Sequence, residues 1–190
     1  MNIKKIIFAL CAISTIAFAG FLPSDKSVPE QRQEILDMSN KTLAELGSFA
    51  PASKAEIAKA YGYAVFSSRG VHIFVLSNEN GSGMAHDNHT GKNVYMNMLS
   101  LGAGFGLGIK EFHAVFIFST KSAFDDFVTN GWEANAQADA AVKAKGYVDE
   151  YANQSLTVAP GVTLYKLTDN GLALQATIQG SKYWRDGDLN

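Results

Sequence analysis

The sequence is poor in cysteine and in proline. Its 190 residues include one cysteine, Cys11, and four prolines. Cys11 lies inside an apolar run at the N-terminus, so the remainder of the chain cannot form a disulfide, react through a thiol or bind a metal through cysteine. We therefore expect the hydrophobic core alone to stabilise the fold.

A surplus of positive charge is also absent. The chain has 16 basic and 18 acidic side chains, and removing Lys4 and Lys5 with a cleaved leader leaves 14 basic ones, a net charge of −4. Non-specific binding to nucleic acids requires a basic footprint. We expect no nucleic-acid partner, although a local basic patch remains compatible with this balance.

Sequence motifs of common enzyme classes are missing. The glycines between residues 102 and 108 do not have the spacing of a dinucleotide-binding loop, and no phosphate-binding loop follows. Gly81-Ser82-Gly83 lacks the spacing of a nucleophile elbow. Asp125 and Asp126 form a close pair of carboxylates, but they are neighbours in a predicted helix, where we expect them to face solvent or to cap the helix. The sequence therefore predicts a protein that is not an enzyme.

The N-terminus has the three parts of a secretory signal peptide. Lys4 and Lys5 precede an apolar run from Ile6 to Phe18, and Ala17-Phe18-Ala19 forms a small-residue cleavage pattern. We predict that residues 1–19 are removed near Ala19 and that the protein is periplasmic or secreted. An uncleaved anchor is the alternative, but this run is short for a membrane span and no later run is longer.

Glycine falls on every second residue between Leu101 and Ile109. In a strand, Gly102, Gly104, Gly106 and Gly108 would share one bare face, and the residues between them would form an apolar face. Glycine weakens a strand, so such a row needs a reason. Close packing against another element, sharp bending of the sheet and a ligand groove are three candidate reasons.

Three helices are predicted in the mature chain. After a linker from Gly20 to Pro29, apolar spacing predicts an amphipathic helix over Glu30–Leu46, which we expect to cover a sheet. A capping box at Ser53–Glu56 predicts a short helix over Ala55–Tyr61, and a third helix is predicted over Thr120–Val128. We assign residues 20–50 to the linker and N-terminal helix and residues 51–190 to a single domain.

The other segments are mostly short strands. Strands are predicted over Tyr63–Phe66, Val71–Leu76, Gly83–His86, Asn93–Leu101, His113–Phe118, Leu156–Val158, Val162–Leu167 and Leu172–Gln179. Because His113–Phe118 is almost entirely apolar, we expect it to be a central strand that is buried on both sides. Hairpin turns are predicted at Asn80-Gly81, at Asp87–Lys92 and at Asp169–Gly171.

Two segments complete the chain. Period-two alanines favour a strand over a helix for Trp132–Lys145, and Asp186–Asn190 is expected to be a tail. No βαβ rhythm is present. The predicted class is α+β, with a mainly antiparallel, strongly curved or barrel-like sheet, an N-terminal amphipathic helix and two further short helices.

The order of these motifs resembles a known family. The segments Tyr63–Phe66, Gly81–Met84, the glycine row and Ser122–Phe127 follow one another as in the SYLF domain, over roughly Ala55 to Trp184. This family includes yeast actin-patch proteins, eukaryotic phosphoinositide-binding proteins and exported bacterial members. The resemblance implies binding of lipid or of a membrane surface, without catalysis or a cofactor.

Lipid binding requires cations beside apolar surface. The candidate lipid-binding residues are Lys54, Lys59, Arg69, Lys92 and Lys110. We expect an exported, non-catalytic domain that binds anionic lipid or another amphiphile at the cell envelope. One alternative is an envelope domain that acts through protein contacts.

A metal-dependent activity at His86 and His89 is the weakest alternative. Imidazole is a common metal ligand, but the Asp87, Asn88 and Thr90 that accompany these histidines are explained by turn chemistry alone. We therefore assign no metal site.

Overall fold

The computed structural model describes residues 26–73, 76–103, 108–133, 155–168, 171–172 and 181–190. The predicted signal peptide, Gly104 and Gly106 lie outside the described residues, as do most of Trp132–Lys145 and of Leu172–Gln179. Within the described residues the fold is α+β. It has an N-terminal helix and a curled antiparallel sheet, as predicted.

The described residues form three helices: α1 (Val28–Phe49), α2 (Ala52–Lys59) and α3 (Lys121–Asn130). The first begins at Ser27, whose backbone N–H donates to Glu30 Oε2 at 2.8 Å, and it continues beyond the predicted end at Leu46. In α3 the backbone N–H of Ala123 donates to Thr120 Oγ1 at 3.3 Å, which caps the helix.

The predicted capping box of α2 is wrong. This helix starts at Ala52, so Ser53 lies inside it, with a fully buried hydroxyl that has no hydrogen-bond partner. Glu56 instead accepts a hydrogen bond from the Tyr165 hydroxyl at 2.9 Å. The capping-box prediction was wrong because Glu56 bonds to a residue of a distant strand. The local sequence does not reveal this contact.

The described residues contain nine strands. They are β1 (Gly62–Ile73), β2 (Leu76–Asp87), β3 (Asn93–Ala103), β4 (Gly108–Phe118), β5 (Trp132–Glu133), β6 (Leu156–Ala159), β7 (Val162–Thr168), β8 (Gly171–Leu172) and β9 (Ser181–Arg185). Their order is β5-β9-β3-β2-β1-β4-β7-β6, with β8 beside β7. Strands β1 to β3 form a meander and β4 returns beside β1, which is the Greek-key arrangement.

The hairpin predicted at Asn80-Gly81 is wrong. Asn80 pairs with Arg69 and Gly81 pairs with Ser68 inside β2. A Cβ on Gly81 would collide with the Ser67 carbonyl oxygen, and one on Gly83 would lie 2.5 Å from the Phe66 ring. These glycines admit a close neighbouring strand rather than a turn. The predicted strand Val71–Leu76 is also divided, because β1 ends at Ile73 and β2 begins at Leu76.

The glycine row is not a single strand. Gly102 belongs to β3 and pairs with Ser77, whereas Gly108 belongs to β4 and pairs with His72. Since β3 and β4 are separated by β2 and β1 in the sheet, the alternation that predicted one strand in fact spans two strands and their connection.

Two other hairpin turns are confirmed. The turn between β2 and β3 lies within Asp87–Lys92, where Gly91 has a φ of 70° that favours glycine. Thr168 of β7 pairs with Gly171 of β8 on the two sides of the other predicted turn, whose residues 169 and 170 lie outside the described residues.

Contacts between aromatic rings demonstrate how strongly the sheet curves. The Tyr183 ring of β9 lies 4.8 Å from the Phe66 ring of β1 and 5.0 Å from the Phe116 ring of β4. These strands are three and four places from β9. A flat sheet would separate β9 from β4 by about 19 Å, at roughly 4.8 Å per strand. The sheet therefore folds its concave face around an aromatic core.

Both faces of the sheet are covered. Phe124 and Phe127 of α3 pack with Phe66 and Phe116 on the concave face. On the convex face, Leu46 of α1 packs with strand residues such as Val115. Because β4 places Phe116 on one face and Val115 on the other, the prediction of a central strand buried on both sides is confirmed.

The C-terminal residues are not a tail. Leu189 is buried with Ile35, Met84 and Tyr95. The Asn190 amide donates to the Tyr95 carbonyl oxygen at 2.9 Å and accepts from the Tyr95 N–H at 3.0 Å, as a paired strand residue would. The segment is therefore fixed against Tyr95 of β3 and packs with Ile35 of α1, although its composition is that of a loop.

Candidate membrane-contact surface

The end of the sheet next to α2 is a rigid unit. The Asn88 side chain donates to the carbonyl oxygens of Ile57 at 2.8 Å and Ala60 at 3.0 Å. The last carbonyl oxygens of a helix lack a full set of intrahelical bonds, and that of Ile57 accepts in addition from the Ala60 N–H at 3.3 Å. The backbone N–H of Asn88 also donates to the Tyr61 carbonyl oxygen at 3.1 Å. The β2–β3 turn and the end of α2 are thereby held together.

Three of the five predicted cations belong to this unit. Lys54 and Lys59 lie on α2 and Lys92 lies at the end of the β2–β3 turn, and all three are exposed. Within the described ranges none of them has an ion-pair partner, whereas Lys26, Lys41 and Lys121 pair with acidic side chains. We call Lys54, Lys59 and Lys92 the α2-end cations.

The other two predicted cations are elsewhere. Arg69 pairs with Asn80 and Glu111, and Lys110 pairs with Gly70, so these two are adjacent in the sheet. Arg69 lies seven residues along β1 from Gly62, a distance of about 23 Å at roughly 3.3 Å per residue. The structure therefore separates the five predicted cations into a group of three and a pair.

Asp87 organises the turn that carries Lys92. Its Oδ1 accepts from the backbone N–H groups of His89 at 2.7 Å and Thr90 at 3.0 Å, and its Oδ2 accepts from the Tyr61 hydroxyl at 3.3 Å. Desolvation opposes ionisation, but these donors outweigh it and hold the pKa of Asp87 below its ordinary value. This carboxylate stays ionised and occupied within the turn, so it does not form an open acidic site.

His86 and His89 do not face each other. The His86 ring lies 5.1 Å from the Tyr63 ring and its Nδ1 lies 2.6 Å from Asn93 Oδ1, while the His89 ring lies 4.6 Å from the Tyr61 ring. Tyr61 packs with the concave core and Tyr63 with the convex clusters. Among the described residues, no three His, Cys, Asp or Glu side chains are grouped to hold a metal ion.

One residue at this end was not predicted. Phe49, the last residue of α1, is 48 % exposed and is the one exposed large hydrophobic side chain among the described residues. Sequence analysis missed it because α1 was expected to end at Leu46. The sequence nevertheless contained a local signal of this residue: an aromatic residue directly before Ala50-Pro51, the segment that connects the two helices.

The fold and this surface define a class of protein: a curled antiparallel α+β domain with exposed cations at one end of its sheet. No family model matches the chain. It is similar to beta cell expansion factor A of Aeromonas veronii, with 39 % identity over 164 residues, which are 86 % of this chain and 60 % of the relative. The chain thus spans about three fifths of the relative's length.

Within the described ranges, no helix is both long enough and apolar enough to cross a lipid bilayer.

Proposed function

We propose that this protein is an exported SYLF-like domain that binds the surface of anionic membranes without catalysis. The observation that carries the proposal is the exposure of the α2-end cations, which have no ion-pair partner among the described residues. Because the hydrogen bonds of Asn88 fix the turn to the helix, binding would not have to order this part of the backbone first.

Each cation contributes a small binding free energy, and the contributions of the three cations add up. A lysine close to an anionic leaflet contributes about 1 kcal/mol, and this attraction decays within a Debye length. The mature chain is acidic overall, so the remaining surface opposes approach to an anionic membrane. Binding would therefore depend on orientation, require the α2 end to face the membrane, and weaken as salt is added.

Two further observations support the proposal. The order of motifs from Tyr63 to Phe127 resembles a family whose members bind lipids, and the N-terminal sequence has the features of an export signal.

Flotation with lipid vesicles tests the proposal. The protein without residues 1–19 should float with vesicles of phosphatidylcholine and phosphatidylserine and remain behind with phosphatidylcholine alone. The triple variant K54Q/K59Q/K92Q should bind at least about tenfold more weakly, as expected for the loss of three cations. Equal behaviour of the two vesicle types would refute the proposal.

A matched control removes the same charge elsewhere. The variant K26Q/K182Q/R185Q also removes three exposed cations, from the start of α1 and from β9. It should retain most of the vesicle binding. If both triple variants lose binding equally, overall charge determines binding and the α2-end cations have no special role.

A second candidate function follows from the relative. The 39 % identity with beta cell expansion factor A favours a secreted factor that increases beta-cell number. Adding the purified protein to cultured beta cells and counting the dividing ones tests this. If K54Q/K59Q/K92Q stays folded and has lost its effect, the two candidate functions share one surface. An inactive wild-type protein would refute this second candidate.

The protein-contact alternative gives a different result. A domain that acts through an envelope protein would float with neither vesicle type, and cross-linking in intact cells would capture a defined protein partner. This outcome would replace the lipid proposal.

A further inference from the structure

We infer that Phe49 inserts into the boundary between the lipid headgroups and the hydrocarbon of the bilayer, so that contact with the membrane is partly apolar. The inference rests on the proposed function, because it concerns how the α2 end of the sheet meets a membrane. Electrostatic adsorption alone would leave Phe49 in water, and the two modes of binding can be distinguished by experiment.

The backbone holds Phe49 outward at the corner between α1 and α2. The backbone N–H of Ala50 donates to the Leu46 carbonyl oxygen at 2.7 Å, and that of Ser53 donates to the Ala50 carbonyl oxygen at 3.0 Å. Leu46 and Ala50 on either side are buried in the convex core. The buried contacts of Leu46 and Ala50 therefore hold the corner in place, while Phe49 is 48 % exposed.

The chain on either side of Phe49 is locally uncharged. Residues 46–53 contain no charged side chain, and Pro51 and Ala52, which follow Phe49 in the chain, are exposed; the nearest charged residue of α1 is Glu45, one helical turn earlier. A protein surface normally exposes single apolar groups next to polar ones. Here the apolar ring is followed by two exposed residues that also lack polar side chains, which lowers the cost of dehydrating the corner.

The charges that border this surface suit an anionic membrane. Lys54 follows Ser53 on α2, and its side chain lies against Gly47. The neighbouring acidic groups are engaged, since Glu45 lies 3.9 Å from Lys41 Nζ and Glu56 accepts from Tyr165. An aromatic side chain with a nearby lysine is the combination found where proteins lie in the membrane interface.

A protein partner is less well matched to this surface. A stable interface buries roughly 800 Å² on each partner around a central cluster of anchors. The corner offers one large ring and small neighbours. A bilayer accepts a single ring without requiring shape complementarity, so the size of the exposed surface favours lipid.

The absence of cysteine from the mature chain allows a direct measurement. In the chain without residues 1–19, Phe49→Cys creates a unique site for an environment-sensitive fluorophore. With vesicles of phosphatidylcholine and phosphatidylserine, we expect a blue shift of the emission and quenching by lipids brominated near the headgroup end of the acyl chain. Asn40→Cys is the control, because it is exposed on α1 and lies about 13 Å away along the helix.

The outcomes separate the inference from the proposed function. Labelled protein that floats with the vesicles without a shift or quenching at position 49 would overturn the inference and leave lipid binding intact. Protein that does not float at all would overturn both. Equal quenching at positions 49 and 40 would also overturn it, because position 49 would then lie no deeper in the bilayer than an exposed residue elsewhere on α1.

Two substitutions at Phe49 complete the test. Phe49→Ser should reduce vesicle binding by a factor of about three to ten, and Phe49→Trp should retain it. Circular dichroism of both variants should match that of the wild type, since the ring is half exposed. Unchanged binding by Phe49→Ser would contradict the inference.

Discussion

The two faces of the sheet are held in different ways. On the concave face, curvature brings together side chains from strands that are far apart in the sheet, and large rings such as Phe66, Phe116 and Tyr183 meet there. On the convex face the same curvature spreads neighbouring side chains apart, so helices must cover the gap. Leu46 of α1, Ile57 of α2 and Ala50 between the two helices do so with smaller groups.

The convex face also buries polar groups. Ser39 and Thr42 of α1 are almost completely buried, and Thr42 Oγ1 lies 3.2 Å from His113 Nδ1. Ser39 Oγ has no hydrogen-bond partner in the described structure. Two other buried hydroxyls have the same deficit: that of Ser53 on α2 and that of Ser68, which the alternation along β1 places on the same face as Phe66. Two of the three unpaired hydroxyls among the described residues therefore belong to the helical layer.

The largest expected difference between the faces is measured on β4. Phe116→Ala removes a fully buried ring and should lower the free energy of unfolding by about 3–5 kcal/mol. Val115→Ala, one residue away on the convex face, should cost only about 1–2.5 kcal/mol, because fewer methyl groups are lost. Urea unfolding followed by circular dichroism gives both values. Equal losses would show that the two faces contribute equally.

A second pair of variants tests the close approach of β1 and β2. A Cβ on Gly83 would collide with the Val65 carbonyl oxygen and press on the Phe66 ring, whereas one on Gly187 would meet nothing within 4 Å. Gly83→Ala should therefore destabilise the protein by about 1–3 kcal/mol, and Gly187→Ala by less than about 0.5 kcal/mol. If Gly83→Ala leaves the free energy of unfolding unchanged, the concave core can shift to accommodate the added methyl group more easily than the contacts indicate.

These glycines show where sequence analysis reached its limit. Composition and spacing predicted the fold class, the three helices, the β2–β3 turn and the central strand over His113–Phe118. They did not distinguish a glycine required by a turn from one required by a neighbouring strand, so Asn80-Gly81 was assigned to the wrong structure. The difference depends on Val65 and Ser67, which lie more than a dozen residues away.

The sequence predicted the type of residue in the candidate site, lysine, but not how these residues are arranged. Lysines beside apolar surface were identified, yet the grouping of Lys54 and Lys59 with Lys92 depends on the bonds from Asn88 to α2. The separation of Arg69 likewise follows from the length of β1. No local sequence pattern predicts this grouping or this separation, because both depend on which strands become neighbours.

Tyr165 links α2 to the convex face and makes its attachment dependent on pH. Burial, together with the hydrogen bond to Glu56, raises the pKa of the Tyr165 hydroxyl to about 12. The raised pKa adds stability below pH 10, the ordinary value, and this contribution is lost as the pH rises from 10 to about 12. Tyr165→Phe should lower stability at pH 7 by about 1 kcal/mol.

Unfolding curves at several alkaline pH values test this assignment. Wild-type protein should lose stability more steeply between pH 10 and 12 than Tyr165→Phe does. The concave residue Tyr183 is a poor control because it is part of the aromatic core. Tyr95→Phe serves better, since Tyr95 packs with Ile35 and Leu189 outside the aromatic core. Identical pH profiles for all three proteins would contradict the role of Tyr165.

The smallest expected effect concerns the buried hydroxyl of Ser39. A buried polar group without a partner costs free energy, so removing its oxygen relieves that cost while leaving only a small gap. Ser39→Ala should therefore be neutral or stabilising by up to about 1 kcal/mol, whereas Thr42→Val should destabilise because it deprives His113 of its partner. A large loss in Ser39→Ala would mean that the hydroxyl is hydrogen-bonded in solution, and the helical layer would then be as well satisfied as the aromatic core.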